Sequence, residues 1–217
     1  MATAYPVMLN LEGRGCVVVG GGAVAARKVA GLLTAGAWVR VISPMLHPNL
    51  EQLAAENAIT VRRAAYAPGS LFDLHVVLVF AATDSPALNQ RIAEEARALG
   101  ALVEIVDAGA DSDFQNMATI QRGPITVGIS TSGASPALAA HLRLRLEKTV
   151  GEEYAVLAKW LEEARPGVRN RVPVAADRAA LWHRILDSTI LDDLRRGDTL
   201  AARKNFESFV REALKQT

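Results

Sequence analysis

Three consecutive glycines, Gly20 to Gly22, follow a short run of β-branched residues, Val17 to Val19. Such a run is typical of a buried strand, and the residues after the glycines have the apolar spacing of a helix. In a strand–turn–helix unit, Gly20 allows the tight turn, Gly22 leaves room for a pyrophosphate beside the backbone, and Ala25 lets the helix pack closely. The first amides of the helix can bind phosphate oxygens. The segment therefore predicts a nucleotide site, with an ordinary glycine-rich β-α-β turn as the alternative.

A single aspartate, Asp107, ends another apolar run. Open α/β sheets bind ligands at the carboxyl ends of their strands, and a predicted strand over 101–106 would place Asp107 at that edge. A carboxylate in this position can act as a general base. The alternative is a turn aspartate, which is how we interpret Asp111 and Asp113.

A loop rich in small and hydroxyl residues, 130–136, precedes a predicted helix. Ser135 is a good N-cap and Pro136 a good first helical residue. Together with the helix N-terminus, the amides of this loop could bind a carboxylate or a phosphate. Simple capping of the helix is the alternative.

The usual ribose-binding carboxylate is missing from its expected place. It should lie about 20 residues after the glycines, at the end of the second strand. Ser43 and Pro44 stand there instead, with Arg40 nearby. Charge alone therefore leaves the choice between NAD and NADP open.

The elements that must position these residues alternate through the first half of the chain. Strands are predicted over 38–43, 59–63, 75–82 and 101–106, and helices over 49–57 and 85–99. This alternation predicts an α/β fold, a Rossmann-type doubly wound parallel sheet.

The pattern changes after Gly109. Two short strands are predicted over 117–121 and 125–130, then a helix from 136 to about 149, and only helices from Glu152 onward. Pro166-Gly167 and Pro173 interrupt that helical part. We therefore divide the chain into a Rossmann domain, a small α+β region and an all-helical C-terminal part, with the bounds 1–112, 113–150 and 151–217.

Bulk properties exclude several classes of protein. Half of the 217 residues are hydrophobic and the net charge is +1, which predicts neither a nucleic-acid partner nor a membrane patch. The single cysteine, Cys16, cannot form an internal disulfide and fits a reducing cytosol. No signal-like stretch and no apolar run of about 18 residues is present. We expect a soluble cytoplasmic protein.

No structural metal site is predicted. His47, His75 and His183 show no ligand spacing with one another, and one cysteine cannot complete a zinc site. His141, Arg145 and Lys148 share one helical face. We favour a surface or dimer contact for His141 over a contact with iron or with substrate carboxylates.

Taken together, these segments resemble one family, the precorrin-2 dehydrogenases and the bifunctional precorrin-2 dehydrogenase/sirohydrochlorin ferrochelatases of siroheme synthesis. The stretch Val17–Lys28 carries a pattern much narrower than a general glycine fingerprint. The other similar segments follow in the order of the family and cover essentially the whole chain: Tyr5-Pro6, Leu9–Leu11, Leu32-Leu33, Gly36-Ala37, Val41–Pro44, Ala81–Asp84, Asn89, Val106-Asp107, Asp113-Phe114, Arg122–Pro124 and Ile129–Pro136.

This resemblance implies that the chain passes a hydride from precorrin-2 to NAD⁺ and forms sirohydrochlorin, and that some members also insert Fe²⁺. It implies a homodimer in which 113–150 contributes to dimerisation and to the substrate cleft. Asp107 matches the family's key aspartate, which takes the proton. The matching cofactor positions are Gly20, Gly21, Gly22, Ala23, Val24, Ser43, Pro44, Met45, Ala82 and Thr83.

A tetrapyrrole with eight carboxylates needs cations and hydrogen-bond donors near the hydride acceptor. The cationic candidates are Arg27, Lys28, Arg122 and Arg143, and the candidates from the hydroxyl-rich loop are Thr131, Ser132 and Ser135. For each cation, a solvated surface charge is the alternative.

The chain departs from the family pattern at several positions. Glu104 stands where asparagine is usual, and alternation along a strand predicts that it points away from Asp107. Gln115–Met117 replaces an apolar, proline-containing segment, and Ala140 stands where arginine is common. These changes keep two alternatives open: a non-catalytic module that senses a nucleotide or binds a partner, and an oxidoreductase for a different modified tetrapyrrole.

Overall fold

The computed structural model describes residues 4–72 and 75–215 and divides the chain into two compact units, Met1–Asn116 and Met117–Thr217. The first unit extends beyond the predicted boundary at 112. It does so because the Asp113 amide donates to the Val103 carbonyl at 2.8 Å, and the Phe114 ring meets Phe80 edge to face at 5.3 Å. The division of the second unit near 150 remains a prediction.

In its described residues, the first unit contains a five-stranded parallel sheet and three α-helices. Its strands are β1 (Gly15–Val19), β2 (Trp38–Ile42), β3 (Thr60–Arg62), β4 (Val76–Ala81) and β5 (Leu102–Ile105). Its helices are α1 (Ala23–Thr34), α2 (Pro48–Ala55) and α3 (Pro86–Ala98), and a 3₁₀ turn follows at Gly109–Asp111.

Both faces of this sheet are covered. Along β1, Cys16 and Val18 pack with α1 and α2, whereas Val17 and Val19 pack with α3. A strand buried on both faces must be apolar throughout, which explains the unbroken valine run. The structure thus confirms the predicted doubly wound α/β fold.

The strand order is β3-β2-β1-β4-β5. After β1 the chain adds β2 and β3 on one side, and then returns to place β4 on the other side. The loops after β1 and β4 therefore leave the sheet in opposite directions and open a crevice at the carboxyl ends of the strands.

The described part of the second unit contains a β-hairpin and five α-helices. Its antiparallel strands are β6 (Ala118–Arg122) and β7 (Ile125–Ile129). Its helices are α4 (Pro136–Glu147), α5 (Glu152–Arg171), α6 (Ala175–Leu186), α7 (Ile190–Arg195) and α8 (Thr199–Lys215). The hairpin contacts α5, since a Cβ on Gly123 would lie 3.1 Å from the Cβ of Ala155.

One predicted interruption is wrong. Helix α5 continues through Pro166 and Gly167 to Arg171. Beyond the proline, Val168 and Val172 are buried in the core formed by α5 to α8, together with Leu157 and Trp160. Burial of this apolar face stabilises the helix more than the loss of one backbone hydrogen bond at proline destabilises it.

Among the residues that the structure describes, no helix combines the length and the hydropathy that crossing a bilayer requires.

Candidate functional site

The glycine turn has no space for side chains at two positions. A Cβ on Gly20, which has φ +126°, would lie 2.1 Å from the carbonyl oxygen of Ala82. A Cβ on Gly21 would lie 1.9 Å from the carbonyl oxygen of Met45. The turn after β1 is therefore pressed against the ends of β2 and β4, as a close approach of backbones requires.

Gly22 has a different environment, because a Cβ there would meet no atom within 4 Å. It is the N-cap of α1, no side chain in the described part of the chain caps it, and the first turn has no acidic residue. The amides around Ala23 and Val24 and the positive end of the helix dipole thus face open space. This arrangement fits a dinucleotide pyrophosphate, which needs bare backbone and free N–H groups.

The segment after β2 is held against the glycine turn by its own hydrogen bonds. The Ser43 hydroxyl donates to the Met45 carbonyl at 2.7 Å, and the His47 amide donates to the Gly21 carbonyl at 2.7 Å. Ser43 is buried, whereas Pro44 and Met45 are exposed. The hydroxyl of Ser43 therefore shapes the turn, and Pro44 and Met45 are the residues that present surface to a ligand.

The end of β4 depends on a residue to which the sequence analysis gave no role. Asn89 of α3 is buried, and its side-chain oxygen accepts from the amide and the hydroxyl of Thr83 at 3.1 and 2.6 Å. Its NH₂ group donates to the Thr83 carbonyl at 3.0 Å. The signal available in the sequence was a polar residue on the apolar face of a predicted helix.

Asp107 follows β5 in a turn, with φ +61°. This left-handed conformation is uncommon for residues other than glycine, although aspartate tolerates it better than most. The side chain is exposed at the carboxyl edge of the sheet, and no described side chain forms an ion pair with it. The carboxylate is therefore accessible to take up a proton.

These loops enclose one cleft of about 970 Å³ within the first unit. Ten of its lining residues are the predicted cofactor positions Gly20, Gly21, Gly22, Ala23, Val24, Ser43, Pro44, Met45, Ala82 and Thr83. Asp107 lines the same cleft, and the only carboxylates among the described lining residues are Asp84 and Asp107. A nucleotide cradle and a potential proton acceptor are thus brought together in one cavity.

A second residue without a role in the sequence analysis, Tyr66, also lines this cleft. Its hydroxyl donates to Glu95 of α3, which also accepts from the amides of Gly69 and Leu71 at 3.0 and 2.9 Å. Burial and the neighbouring carboxylate raise the pKa of Tyr66. Burial alone would raise the pKa of Glu95, but the hydrogen bonds that it accepts lower it.

Five of the predicted substrate positions, Arg122, Thr131, Ser132, Ser135 and Arg143, lie in the second unit. Thr131 accepts from the Ser135 amide at 3.2 Å and donates to its carbonyl at 3.1 Å, and Ser135 caps α4 by accepting from the Leu138 amide at 3.1 Å. Ser132 has φ +52° and is exposed. The hydroxyls of Thr131 and Ser135 therefore bond within their own loop, as the capping alternative predicted.

The two predicted substrate arginines of the second unit lie in ion pairs. Arg122 approaches Glu147 and Glu152 at 3.5 and 3.1 Å, and Arg143 approaches Glu147 at 2.8 Å. Glu147 therefore links both guanidinium groups.

Three known families match successive segments of the chain. Residues 7–118 match a family described as "Putative NAD(P)-binding", 122–149 match the sirohaem biosynthesis protein central family, and 153–209 match the sirohaem synthase dimerisation region. The chain belongs to the precorrin-2 dehydrogenase and siroheme synthase family. This confirms the resemblance stated from the sequence.

Individual proteins that are similar to this chain carry names from the same family. The siroheme synthase of Nitrosospira multiformis is 40% identical over 202 residues, which are 91% of this chain and 42% of the relative. That of Nitrosococcus oceani is 37% identical over 192 residues, covering 88% and 41%. The chain thus spans about two fifths of the length of these curated relatives. A solved structure of SirC, precorrin-2 dehydrogenase, is 26% identical, has a TM-score of 0.75, and is covered completely by 96% of this chain.

One predicted substrate residue has a different role in this member of the family. Lys28 forms an ion pair with Glu104 at 2.5 Å, and both side chains are largely buried. Glu104 also accepts from the Asn116 amide at 3.1 Å. Lys28 therefore compensates the charge of Glu104, the residue that departs from the family pattern, and is not available to a substrate carboxylate. Arg27, by contrast, is exposed on α1.

Glu104 lies within strand β5, where side chains alternate between the two faces as predicted. Alternation does not determine the direction of the Asp107 side chain. Strand β5 ends at Ile105, and Asp107 lies beyond it in a turn.

No group of three metal-ligating side chains occurs within residues 4–72 and 75–215.

Proposed function

We propose that this chain oxidises precorrin-2 to sirohydrochlorin with NAD⁺ as the hydride acceptor. The observation that carries the proposal is the single cleft in which the glycine turn and the accessible carboxylate of Asp107 lie together. Support comes from the family to which the chain belongs and from its likeness to a precorrin-2 dehydrogenase over 96% of its length.

The proposed chemistry removes two hydrogens from the macrocycle. When bound, the nicotinamide ring supplies the acceptor for one of them as a hydride. Asp107 takes up the other as a proton at a carboxylate oxygen, because it is exposed at the edge of the same cleft. The turn at Gly20 to Gly22 binds the pyrophosphate, and Asn89 fixes Thr83 between these two groups.

Each unit, taken by itself, carries candidate cations for the substrate's carboxylates. Arg27 is exposed on α1, and Arg122 and Arg143 share Glu147 in the second unit. A guanidinium already paired with a carboxylate can exchange it for a substrate carboxylate of similar geometry. Ser132 and the amides of the 130–135 loop are the neutral donors in this proposal.

The test is a coupled assay of the purified chain with precorrin-2 and NAD⁺. We expect sirohydrochlorin absorbance and NADH to appear together, and both to be lost in Asp107→Ala. Nucleotide binding without turnover of any tetrapyrrole would support the non-catalytic alternative instead. Turnover of another reduced tetrapyrrole, but not of precorrin-2, would support an oxidoreductase that acts on a different modified tetrapyrrole.

Iron insertion is the finer part of the proposal. Entry of Fe²⁺ into sirohydrochlorin displaces two pyrrole N–H protons, and Asp107 is the proton acceptor that the cleft offers. The same assay under anaerobic conditions, with and without Fe²⁺, tests it. Siroheme formation no faster than in a protein-free control would contradict this part and leave the dehydrogenase proposal intact.

We further propose that the chain works as a homodimer in the cytoplasm. The match of 153–209 to a dimerisation region supports a dimer. So does α4, on which Leu138, Leu142 and Leu146 recur every four residues and are 37 to 48% exposed. Sedimentation equilibrium of the whole chain should give twice the 23.2 kDa protomer mass.

A further inference from the structure

The segment after β3 brings an aromatic ring to the nucleotide cleft. Tyr66 is half-buried, packs against the core between the sheet and α3, and lines the cleft together with Ala65. Neither the glycine turn nor Asp107 requires a tyrosine at this place.

Glu95 fixes this ring. Its carboxylate accepts from the Tyr66 hydroxyl and from the amides of Gly69 and Leu71, so one side chain of α3 holds both the ring and the following backbone. A half-buried carboxylate with three donors is an ordered anchor, because removing it would leave these donors without a partner. Tyr66 is therefore held at the cleft before any ligand binds.

The sheet order decides which half of a dinucleotide lies near Tyr66. Strand β1 and its glycine turn are central, β4 and β5 lie on one side, and β2 and β3 lie on the other. Asp107 follows β5, so the reacting nicotinamide must occupy the β4–β5 half of the cleft. With the pyrophosphate at the glycine turn, the adenosine must extend over β2 and β3.

The chemistry of that half suits a purine. Its lining includes Pro44, Met45, Leu46, His47, Ala65 and Tyr66, and none of these is a lysine, an arginine or a carboxylate. A neutral aromatic base can stack on a tyrosine ring or contact a thioether without a loss of charge solvation.

We infer that Tyr66 is the aromatic contact for the adenine of the nucleotide and that Glu95 is its positioning residue. The inference rests on the proposed use of a dinucleotide and adds the residue that binds the non-reacting end. It also explains why Glu95 accepts its hydrogen bonds from a loop that carries no catalytic group.

The experiment measures binding of NAD⁺ and of ADP-ribose to the intact chain by calorimetry, with no substrate present. ADP-ribose contains the adenosine and the pyrophosphate but not the nicotinamide. Tyr66→Ala should weaken both ligands by the same factor, about tenfold, as expected for loss of one base–aromatic stack. Tyr66→Phe keeps the ring and loses only the bond to Glu95, so it should weaken both ligands less than Tyr66→Ala does.

Phe72→Ala is the matched control, because Phe72 lies in the same segment, is 66% exposed and does not line the cleft. It should leave both affinities unchanged. If Tyr66→Ala fails to fold by circular dichroism, Glu95→Gln replaces it, and its effect should again be equal for the two ligands.

Three outcomes separate the hypotheses. An equal loss for NAD⁺ and ADP-ribose supports the adenine contact. A loss for NAD⁺ with unchanged ADP-ribose, or no loss for either, overturns it while the proposed dehydrogenase stands. If the wild-type chain binds neither nucleotide, the proposed function falls and the inference falls with it.

Discussion

The side chain of Asn89 holds Thr83 through three hydrogen bonds, two accepted by its oxygen and one donated by its NH₂ group. This contact joins the start of α3 to the end of β4 beside the cleft. Asn89 is only 4% exposed, so water could not easily replace its hydrogen bonds if the side chain were removed.

Asn89→Ala should therefore destabilise the protein by about 2 to 3 kcal/mol, since buried donors and acceptors would lose their partners. We also expect a higher KM for NAD⁺, because Thr83 would no longer be fixed. Urea unfolding and steady-state kinetics measure the two effects. Asn49→Ala, at an exposed asparagine, is the control and should change stability by less than about 0.5 kcal/mol. Equal stability of the two variants would contradict the structural role.

Gly20 and Gly22 of the turn should respond differently to alanine. Gly20→Ala must overcome both φ +126° and a 2.1 Å approach to the Ala82 carbonyl oxygen, and should cost about 3 kcal/mol or more. Gly22→Ala meets no atom and should fold normally, yet it should weaken NAD⁺ binding about tenfold or more, because its methyl group occupies the pyrophosphate path. Thermal melting and nucleotide titration distinguish the two.

Gly31→Ala is the control for these variants, because Gly31 lies inside α1 with no atom within 4 Å of its Cβ direction. It should stabilise the chain by up to about 1 kcal/mol and leave nucleotide binding unchanged. Normal nucleotide affinity in Gly22→Ala would contradict the assigned path of the pyrophosphate.

The Lys28–Glu104 pair should show strong coupling. The two side chains are 17% and 12% exposed, and the Lys28 ammonium also lies 5.4 Å from the centre of the Phe80 ring. Lys28→Met leaves an uncompensated carboxylate and should cost about 3 kcal/mol. Adding Glu104→Gln should restore much of that loss. A double-mutant cycle by chemical denaturation measures it, and additive effects would show that the pair contributes nothing.

Asp107 should reveal its backbone conformation through an unusual order of stabilities. Because its φ is +61°, Asp107→Gly should be more stable than Asp107→Ala by about 1 kcal/mol, the reverse of the order in a helix. Both variants should lose dehydrogenation while they retain NAD⁺ binding. Thermal melts and the coupled assay check both statements. An alanine variant more stable than the glycine variant would contradict the left-handed turn.

Cys16 should be unreactive in the folded protein. Its side chain is 1% exposed, and burial raises the pKa of its thiol to about 11. At pH 8 a thiol reagent should label it slowly in buffer and rapidly in urea.

The same shift predicts a pH dependence. In the unfolded chain the thiol ionises near its ordinary pKa of 9.0, whereas in the folded protein it stays protonated up to about pH 11. The free energy of unfolding should therefore fall by about 3 kcal/mol as the pH rises from 9.0 to about 11. Cys16→Ala removes this contribution, so the difference between the two unfolding curves isolates it. Parallel pH profiles would contradict the shift.

The predicted strand, glycine turn and helix start at residues 17–23 are present in the structure, because local rules govern such a unit. A buried strand, a glycine turn and a helix N-terminus require particular residues at adjacent positions, and the turn at Gly20 to Gly22 meets those requirements within one short segment. The same holds for the helix start at Ser135-Pro136, where the capping bond to Leu138 is present.

Other features depended on partners distant in the chain. Nothing near Lys28 in the sequence indicates Glu104, which is 76 positions away and buried against it. Tyr66 and Glu95 are separated by 29 positions and meet only because α3 packs under the segment after β3. Pro166 predicted an interruption, but burial of Val168 keeps α5 continuous.

The sequence by itself determined the layer architecture, the position of the glycine turn and the aspartate at the carboxyl edge of the sheet. Periodicity, glycine and helix capping act over a few residues, so these features can be predicted without knowing the tertiary structure. The tertiary structure decided which polar side chains face the cleft and which compensate buried charge. That choice depends on packing between strands and helices far apart in the chain, because a buried charge or donor must find its partner wherever the fold places one.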